Sequence, residues 1–226
     1  MSELHEPRRR AVRPRDAATL VLYRREAEGL RVLMGQRSAG HKFMPDRYVF
    51  PGGRIDRSDY RVAPATPLQP RVEDILARSA GPLKARALAL AAVRETFEET
   101  GLIIGRRTDS APRRVPENWR PFFEAGFAPA LDGLEYFTRA VTPPFRPIRF
   151  NARFFMVEAS EVAGELKGSG ELLYLDWLPV AKAQELPLPN ITKYVLEHLH
   201  LLVEERERRS VRLYRYLYGK QVLSDE

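Results

Sequence analysis

The chain has 226 residues, 44% of them hydrophobic, and 37 Lys and Arg against 30 Asp and Glu give it a net charge of +7. That length suits one enlarged domain with a full core, and no apolar run approaches the roughly 18 residues that would cross a bilayer, so no membrane partner is expected. The absence of cysteine excludes disulfides and thiolate metal sites and suits a reducing cytoplasm.

The charge sits at the ends. Residues 1–15 hold five Arg and two Glu, and residues 206–226 hold five Arg, one Lys and three acids. The expected division is therefore a basic tail over 1–16, a single domain over 17–205 and a basic extension over 206–226. No apolar segment follows the first arginines, so no secretory signal is expected. Basic ends of this kind are ordinarily solvated rather than nucleic-acid patches, and they favour an anionic small-molecule partner.

In chain order, residues 17–26 read as a strand, Glu28-Gly29 as a turn and residues 30–36 as the returning strand of a hairpin. A loop then closes on a short strand that delivers Gly52 and Gly53, where the missing side chains let the backbone approach a ligand. Residues 61–70 carry Pro64, Pro67 and Pro70, which cannot join a sheet, and a short helix is expected around 72–80. Such a segment belongs on the surface near the site, as a lid or a homodimer contact.

Residues 88–102 form the central helix. Leu90, Val93 and Phe97 recur at steps of three and four as a core stripe, while Glu95, Glu98 and Glu99 converge on the other side. Like charges stacked so cost roughly 0.2–0.5 kcal/mol per pair, and no cation lies three or four residues beyond to offset them. Gly101 supplies the left-handed stop.

Strand is expected over 102–105, polar loop over 106–116 and a short helix over 117–125 with Trp119, Phe122 and Phe123 in the core, or one of them stacked on a base at a pocket mouth. Strands over 134–141 and 149–157 follow, the second apolar enough to be central. A Gly-rich acidic loop over 164–171 leads to a strand over 172–177 and a short helix over 179–184. Asn190 opens a long helix with Tyr194, Leu196, Leu199 and Val203 among its apolar positions.

Arg94-Glu95-x-x-Glu98-Glu99-x-Gly101-Leu102, taken with Gly53 and, after five intervening residues, Asp59, resembles the signature of the Nudix hydrolases. Three departures stand out: Asp59 replaces the usual Glu, Thr96 replaces a larger apolar residue, and residues 60–93 occupy a span that is normally seven residues. The resemblance extends upstream to the motif of the coenzyme A diphosphatases. Arg37-Ser38 and Phe50-Pro51-Gly52-Gly53 match at the right spacing, with Lys42 at an arginine position, Asp46 at a glycine and Met34 at a threonine.

The resemblance implies an α/β fold of the α/β/α sandwich type, a mixed sheet between helices, with an insertion over 60–87. It implies Mg²⁺ or Mn²⁺ as cofactor, held by Glu95, Glu98, Glu99 and the Gly52 carbonyl with Asp59 as a helper, since hard oxygen donors select such ions. Arg94, Glu98 and Glu171 are the implied catalytic set, Glu165 being a second late-loop candidate for the base. Arg37, Lys42 and Gly53 are implied to meet substrate. The reaction implied is hydrolysis of the diphosphate of coenzyme A or its acyl esters. ADP-ribose, a dinucleotide or a nucleotide sugar are the alternatives within this chemistry, and a nucleotide- or RNA-binding module is the alternative outside it.

Overall fold

The computed structural model describes residues 12–41, 43–109, 112–204 and 210–226. The expected hairpin forms from β1 (Arg15–Glu26) and β2 (Gly29–Arg37), closed at the Glu26–Gly29 pair. Both faces of β1 are buried. Ala18, Leu20 and Leu22 enter one core, and Val21 and Tyr23 enter a second on the other face. A strand that is apolar on both sides must lie inside the sheet. The short strands β3 (Tyr48–Val49) and β4 (Gly52–Arg54) pair with β2 and β1 respectively.

Helix α1 (Pro70–Ala80) is followed, across Gly81, by α2 (Pro82–Thr100). The long helix thus begins inside the expected insertion 60–87. Pro82 starts it, because a first-turn proline loses no hydrogen bond. Gly101, at φ 72°, ends it, donating its N–H to the Phe97 carbonyl at 2.8 Å. Leu90 and Val93 are buried as the stripe predicts, but so are Ala89, Ala91 and Ala92, since α2 is enclosed on more than one side.

The insertion does not border the site as expected. Val62, Leu68, Val72 and Leu76 are buried in the same core as α2. The Thr66 hydroxyl donates to Asp132 at 2.6 Å, and the Gln69 amide donates to the Asp132 carbonyl at 2.8 Å. Val62 and Leu68 anchor an otherwise exposed segment, and Val72 and Leu76 bury one face of α1 against α2, so the insertion packs on α2 rather than forming a lid over the cleft.

The remaining elements are β5 (Leu102–Ile103), β6 (Gly105–Arg107), α3 (Arg120–Glu124), β7 (Phe127–Pro129), β8 (Glu135–Val141), β9 (Phe150–Glu158), β10 (Ala163–Gly164), β11 (Leu172–Pro179), α4 (Val180–Gln184), α5 (Asn190–Glu204), β12 (Arg212–Leu217) and β13 (Lys220–Asp225). The main sheet runs β11-β2-β1-β9-β8-β12-β13, with β1/β9 and β8/β12 parallel and the other neighbours antiparallel. β5 pairs with β10 and β6 with β7 in two small side sheets. Phe155 and Val157 of β9 join the core of α1 and α2; Phe154 and Met156 join that of α5. The protein is an α/β/α sandwich around a mixed sheet.

Two boundaries differ from the sequence expectation. Residues 212–225, expected within an extension, form a hairpin that lengthens the sheet through β8, with Val211 buried. The alternation of Arg212, Tyr214 and Tyr216 with Leu213 and Leu217 is a strand pattern that the charge count obscures. Arg15 and Asp16, expected in the tail, already belong to β1; residues 1–11 lie outside the described residues.

Candidate functional site

The last two turns of α2 carry the site. Arg94 is buried there, and each of its five N–H donors is satisfied. Nε and Nη2 bond the two oxygens of Asp59 at 2.9 and 3.0 Å. Nη1 donates to Glu95 at 2.9 Å and Glu98 at 3.1 Å, and Nη2 also donates to the Arg54 carbonyl at 3.0 Å. Burial alone would weaken the charge of Arg94, but Asp59, Glu95 and Glu98 together hold it firmly protonated.

Asp59 therefore stands elsewhere than expected. It sits in a short 3₁₀ turn over Ser58–Tyr60 with no exposed surface. Besides Arg94, its carboxylate accepts the Trp119 indole N–H at 3.0 Å and the Asp56 backbone N–H at 2.7 Å. Four donors occupy its four lone-pair directions, so none is left for a metal ion. Asp59 anchors Arg94. The same contact decides Trp119, which is a core residue with its polar atom committed and not a stacking platform at a pocket mouth.

Opposite the helix, β4 brings the two glycines against the carboxylates. The Gly52 N–H donates to Glu99 at 2.9 Å. A Cβ on Gly53 would lie 2.2 Å from the Glu95 carboxyl carbon, and one on Gly52 would lie 2.4 Å from the Ala18 carbonyl oxygen. Gly52 is confined to glycine by that backbone contact and by its φ of 155°, whereas a methyl at Gly53 would displace the end of the Glu95 side chain.

Arg94 and the Gly52 N–H compensate the carboxylates only in part. Burial pushes Glu99 up to about 8, against the Gly52 N–H and with Glu95 adding repulsion. Burial likewise pushes Glu95 up to about 7 although Arg94 opposes it, and it raises the more exposed Glu98. Across from them lies Arg37. Burial lowers its proton affinity, while Glu99, Glu171 and Glu95 support its charge. One of its nitrogens donates to the Phe43 carbonyl at 3.3 Å, and its buried Nε has no partner.

Of the two late-loop acids, the structure brings only Glu171 to the cleft; Glu165 is exposed and pairs with Lys167 at 3.1 Å. Their loop is tied to the end of α2, the Lys167 N–H bonding the Thr100 carbonyl at 2.8 Å and the Ser169 N–H that of Glu99 at 3.3 Å. Lys42 lies outside the described residues. Its neighbours His41 and Phe43 line the cleft with Arg37. The cleft has a volume of about 2120 Å³, beyond the roughly 300–1,000 Å³ usual for small ligands. It also takes in Phe145 and Arg146 from the Pro-rich loop and Tyr214 and Tyr216 from β12. Sequence reasoning missed these four, although the i, i+2 spacing of the tyrosines places them on one face of a strand.

The donor chemistry fits a hard divalent cation. Among the described residues no three acidic or imidazole side chains are gathered at ligand distance as they stand, because Glu95 and Glu98 turn to Arg94 and Glu99 turns to Gly52. All three nonetheless offer oxygen within one turn of helix, and the raised proton affinities of Glu95 and Glu99 mark a place short of positive charge.

No family model matches the chain. A nudix hydrolase 7 of Caenorhabditis elegans is 24% identical over 174 residues, which cover 73% of this chain and 51% of that protein. The human acyl-coenzyme A diphosphatase NUDT19 is 32% identical over 114 residues, 40% of this chain and 30% of that protein. The chain thus spans about half the length of the first relative and less of the second. Among solved structures, a NUDIX hydrolase from Alicyclobacillus acidocaldarius superposes with a TM-score of 0.65 at 29% identity, over 83% of this chain and 91% of that one.

Proposed function

Since the chain belongs to the Nudix hydrolase superfamily, we propose that it is a divalent-metal-dependent hydrolase of the diphosphate linkage in a nucleoside diphosphate derivative. The observation that carries this reading is the approach of Glu95 and Glu99 to Gly53 and Gly52, with Glu98 beside them on the same cleft-lining helix and Arg37 on the facing wall.

Glu95, Glu98 and Glu99, with the Gly52 carbonyl, would hold Mg²⁺ or Mn²⁺, which screens diphosphate oxygens and acidifies water. The protein's own groups supply the rest. Arg37 lines the cleft and meets the diphosphate with a planar cation suited to paired oxygens. Arg94 touches no substrate; it fixes the direction of Glu95 and Glu98, and Asp59 fixes Arg94. Glu171 takes the proton of the attacking water, from a loop pinned to α2. Water adds across one P–O bond of the anhydride, leaving one phosphate on each product.

For the substrate we favour coenzyme A or an acyl-coenzyme A, giving adenosine 3′,5′-bisphosphate and phosphopantetheine or its acyl form. Two observations support this: the partial motif from Arg37 to Gly53 with Lys42 within it, and the partial likeness to the human acyl-coenzyme A diphosphatase.

The test is a mass-spectrometric panel with Mg²⁺ and then Mn²⁺, comprising coenzyme A, acyl-coenzyme A, ADP-ribose, NADH, a dinucleoside polyphosphate and a nucleotide sugar. Adenosine 3′,5′-bisphosphate should appear with the wild type. Glu98→Gln, whose side chain is partly exposed, should fold normally and lose more than the roughly 100-fold that removal of an outer-shell partner costs. Cleavage of ADP-ribose alone would retain the hydrolase and discard the coenzyme A reading. No cleavage at all, with salt-sensitive retention of RNA, would replace the enzyme by a binding module.

A further inference from the structure

The cleft continues well beyond the carboxylates, and its second arm is largely apolar. Phe150, Ala152 and Phe154 share one face of β9, and all three line the cleft. Leu188 and Ile191, just before α5 and in its first turn, pack on the second core and line the cleft as well. From Arg54 of β4 one transverse row of the sheet passes through Ala17, Ala152 and Ala140 to Tyr214 of β12, each residue the register partner of the next. Four strand spacings of about 4.8 Å place the ends of this row roughly 19 Å apart.

The arm ends in open aromatic surface. Phe145 is 66% exposed and meets Tyr216 edge to face, with ring centroids 5.4 Å apart. Tyr216 stands on the same face of β12 as Tyr214, and all three rings line the cleft. The guanidinium of Arg146 lies over the Phe145 ring at 5.8 Å, and the residue is exposed, so its charge stays in water while its stem adds apolar surface. Glu95 and Arg94 stand at the other end of the row, against Gly53 and the Arg54 carbonyl. A group held at the carboxylates therefore reaches the rings only through a chain about as long as the row. The apolar lining between favours a chain without charge.

We propose that this arm holds the acyl-phosphopantetheine half of the substrate, the half without a base, and that the rings at its end cover the acyl tail. The inference rests on the reading of the near end as a diphosphatase site, and it selects acyl esters over free coenzyme A. The lengths agree. About 13 bonds separate the phosphorus of phosphopantetheine from its sulfur, and at about 1.2 Å per bond of extended chain they span roughly 15 Å. Roughly 4 Å of the row then remain, so the first few acyl carbons complete it and later ones lie against Phe145, Tyr214 and Tyr216. The free thiol stops short of those rings. The Pro-rich loop 142–147 and β12 become the elements that read the acyl group.

The test is calorimetric titration of the full chain, in Mg²⁺, with S-acetyl- and S-octanoyl-phosphopantetheine, which carry no diphosphate to cleave. The wild type should bind the octanoyl ester at least about tenfold more tightly, since each fully buried methylene gives about fourfold. Phe145→Ala should remove most of that gain and leave the acetyl ester unchanged, and Phe145→Leu, which keeps apolar surface, should restore part of it. The Phe145 side chain is exposed, and an unchanged urea midpoint checks the fold of each variant. Equal binding of the two esters by the wild type, or a gain untouched in Phe145→Ala, overturns the proposal. Because binding needs no bond cleavage, the two readings fail separately. A chain-length gain without turnover on any substrate upholds this arm and removes the hydrolase; turnover of coenzyme A with no such gain does the reverse.

Discussion

Replacing Asp59 by Asn tests how the site is held. The carboxylate accepts four donors, two from Arg94, one from Trp119 and one from the Asp56 backbone, at 2.7–3.0 Å and without solvent contact. An Asn amide has the same shape but one acceptor atom. In one orientation its NH₂ faces Arg94 Nε and the Trp119 indole, and in the other it faces Arg94 Nη2 and the Asp56 N–H. Either way two donors oppose two donors, and Arg94 loses its buried counter-charge. Breaking a buried pair from one side costs about 3–5 kcal/mol. At about 2–4 °C per kcal/mol for a chain of this size, the melting temperature should fall by roughly 6–20 °C. Urea unfolding gives the free energy and calorimetry the midpoint. Turnover should fall about 10–100-fold, as when an outer partner of a ligand is lost, because Arg94 also positions Glu95 and Glu98. A change below about 1 kcal/mol, combined with a large rise in the Mg²⁺ concentration for half-activation, would refute this reasoning and return Asp59 to the metal.

The two glycines should separate by kind of damage. Gly52→Ala drives a methyl into the Ala18 backbone and should cost about 1–3 kcal/mol of stability, while Gly53→Ala meets the mobile end of Glu95 and should mainly weaken Mg²⁺ activation, by about tenfold or more. The acidic cluster also sets a pH dependence. Glu95 and Glu99 titrate near 7 and near 8 in the folded chain against an ordinary 4.5, so the folded state binds more protons than the unfolded. Their contribution is fully present below about pH 4.5 and is lost as pH rises through 7 to 8. In chelator, the melting temperature should therefore decline between pH 5 and pH 8; excess Mg²⁺ should remove the decline and Glu99→Gln should flatten it. Finally, Glu171→Gln should lower kcat and shift the acidic limb of its pH profile, whereas Glu165→Gln, on an exposed acid paired with Lys167, should leave both unchanged.

Much of this protein is local and therefore legible along the chain. The hairpin over 17–36, the long helix with its three glutamates and the stop at Gly101 follow from periodicity and from single residues whose backbone preferences are strong. The spacing of Arg94, Glu95, Glu98 and Glu99 fixes their placement on α2 wherever that helix packs. What depends on distant partners was not legible. Asp59 reads as an acid near a glycine motif, and only the meeting of its turn with Arg94, 35 residues on, and with Trp119, 60 residues on, makes it an anchor rather than a ligand. The prolines of the insertion predicted a surface segment, and residues 61–70 are mostly exposed, but burial of Val62, Leu68, Val72 and Leu76 against α2 pins the insertion away from the cleft. Charge made the last residues look like a tail, though their pairing with β8 makes them the far wall of the cleft. Residue type and spacing determined the chemistry of the acidic cluster and the elements that carry it; the tertiary structure decided which carboxylates stay free and what stands across the cleft, because hydrogen-bond saturation and burial depend on contacts made far apart along the chain.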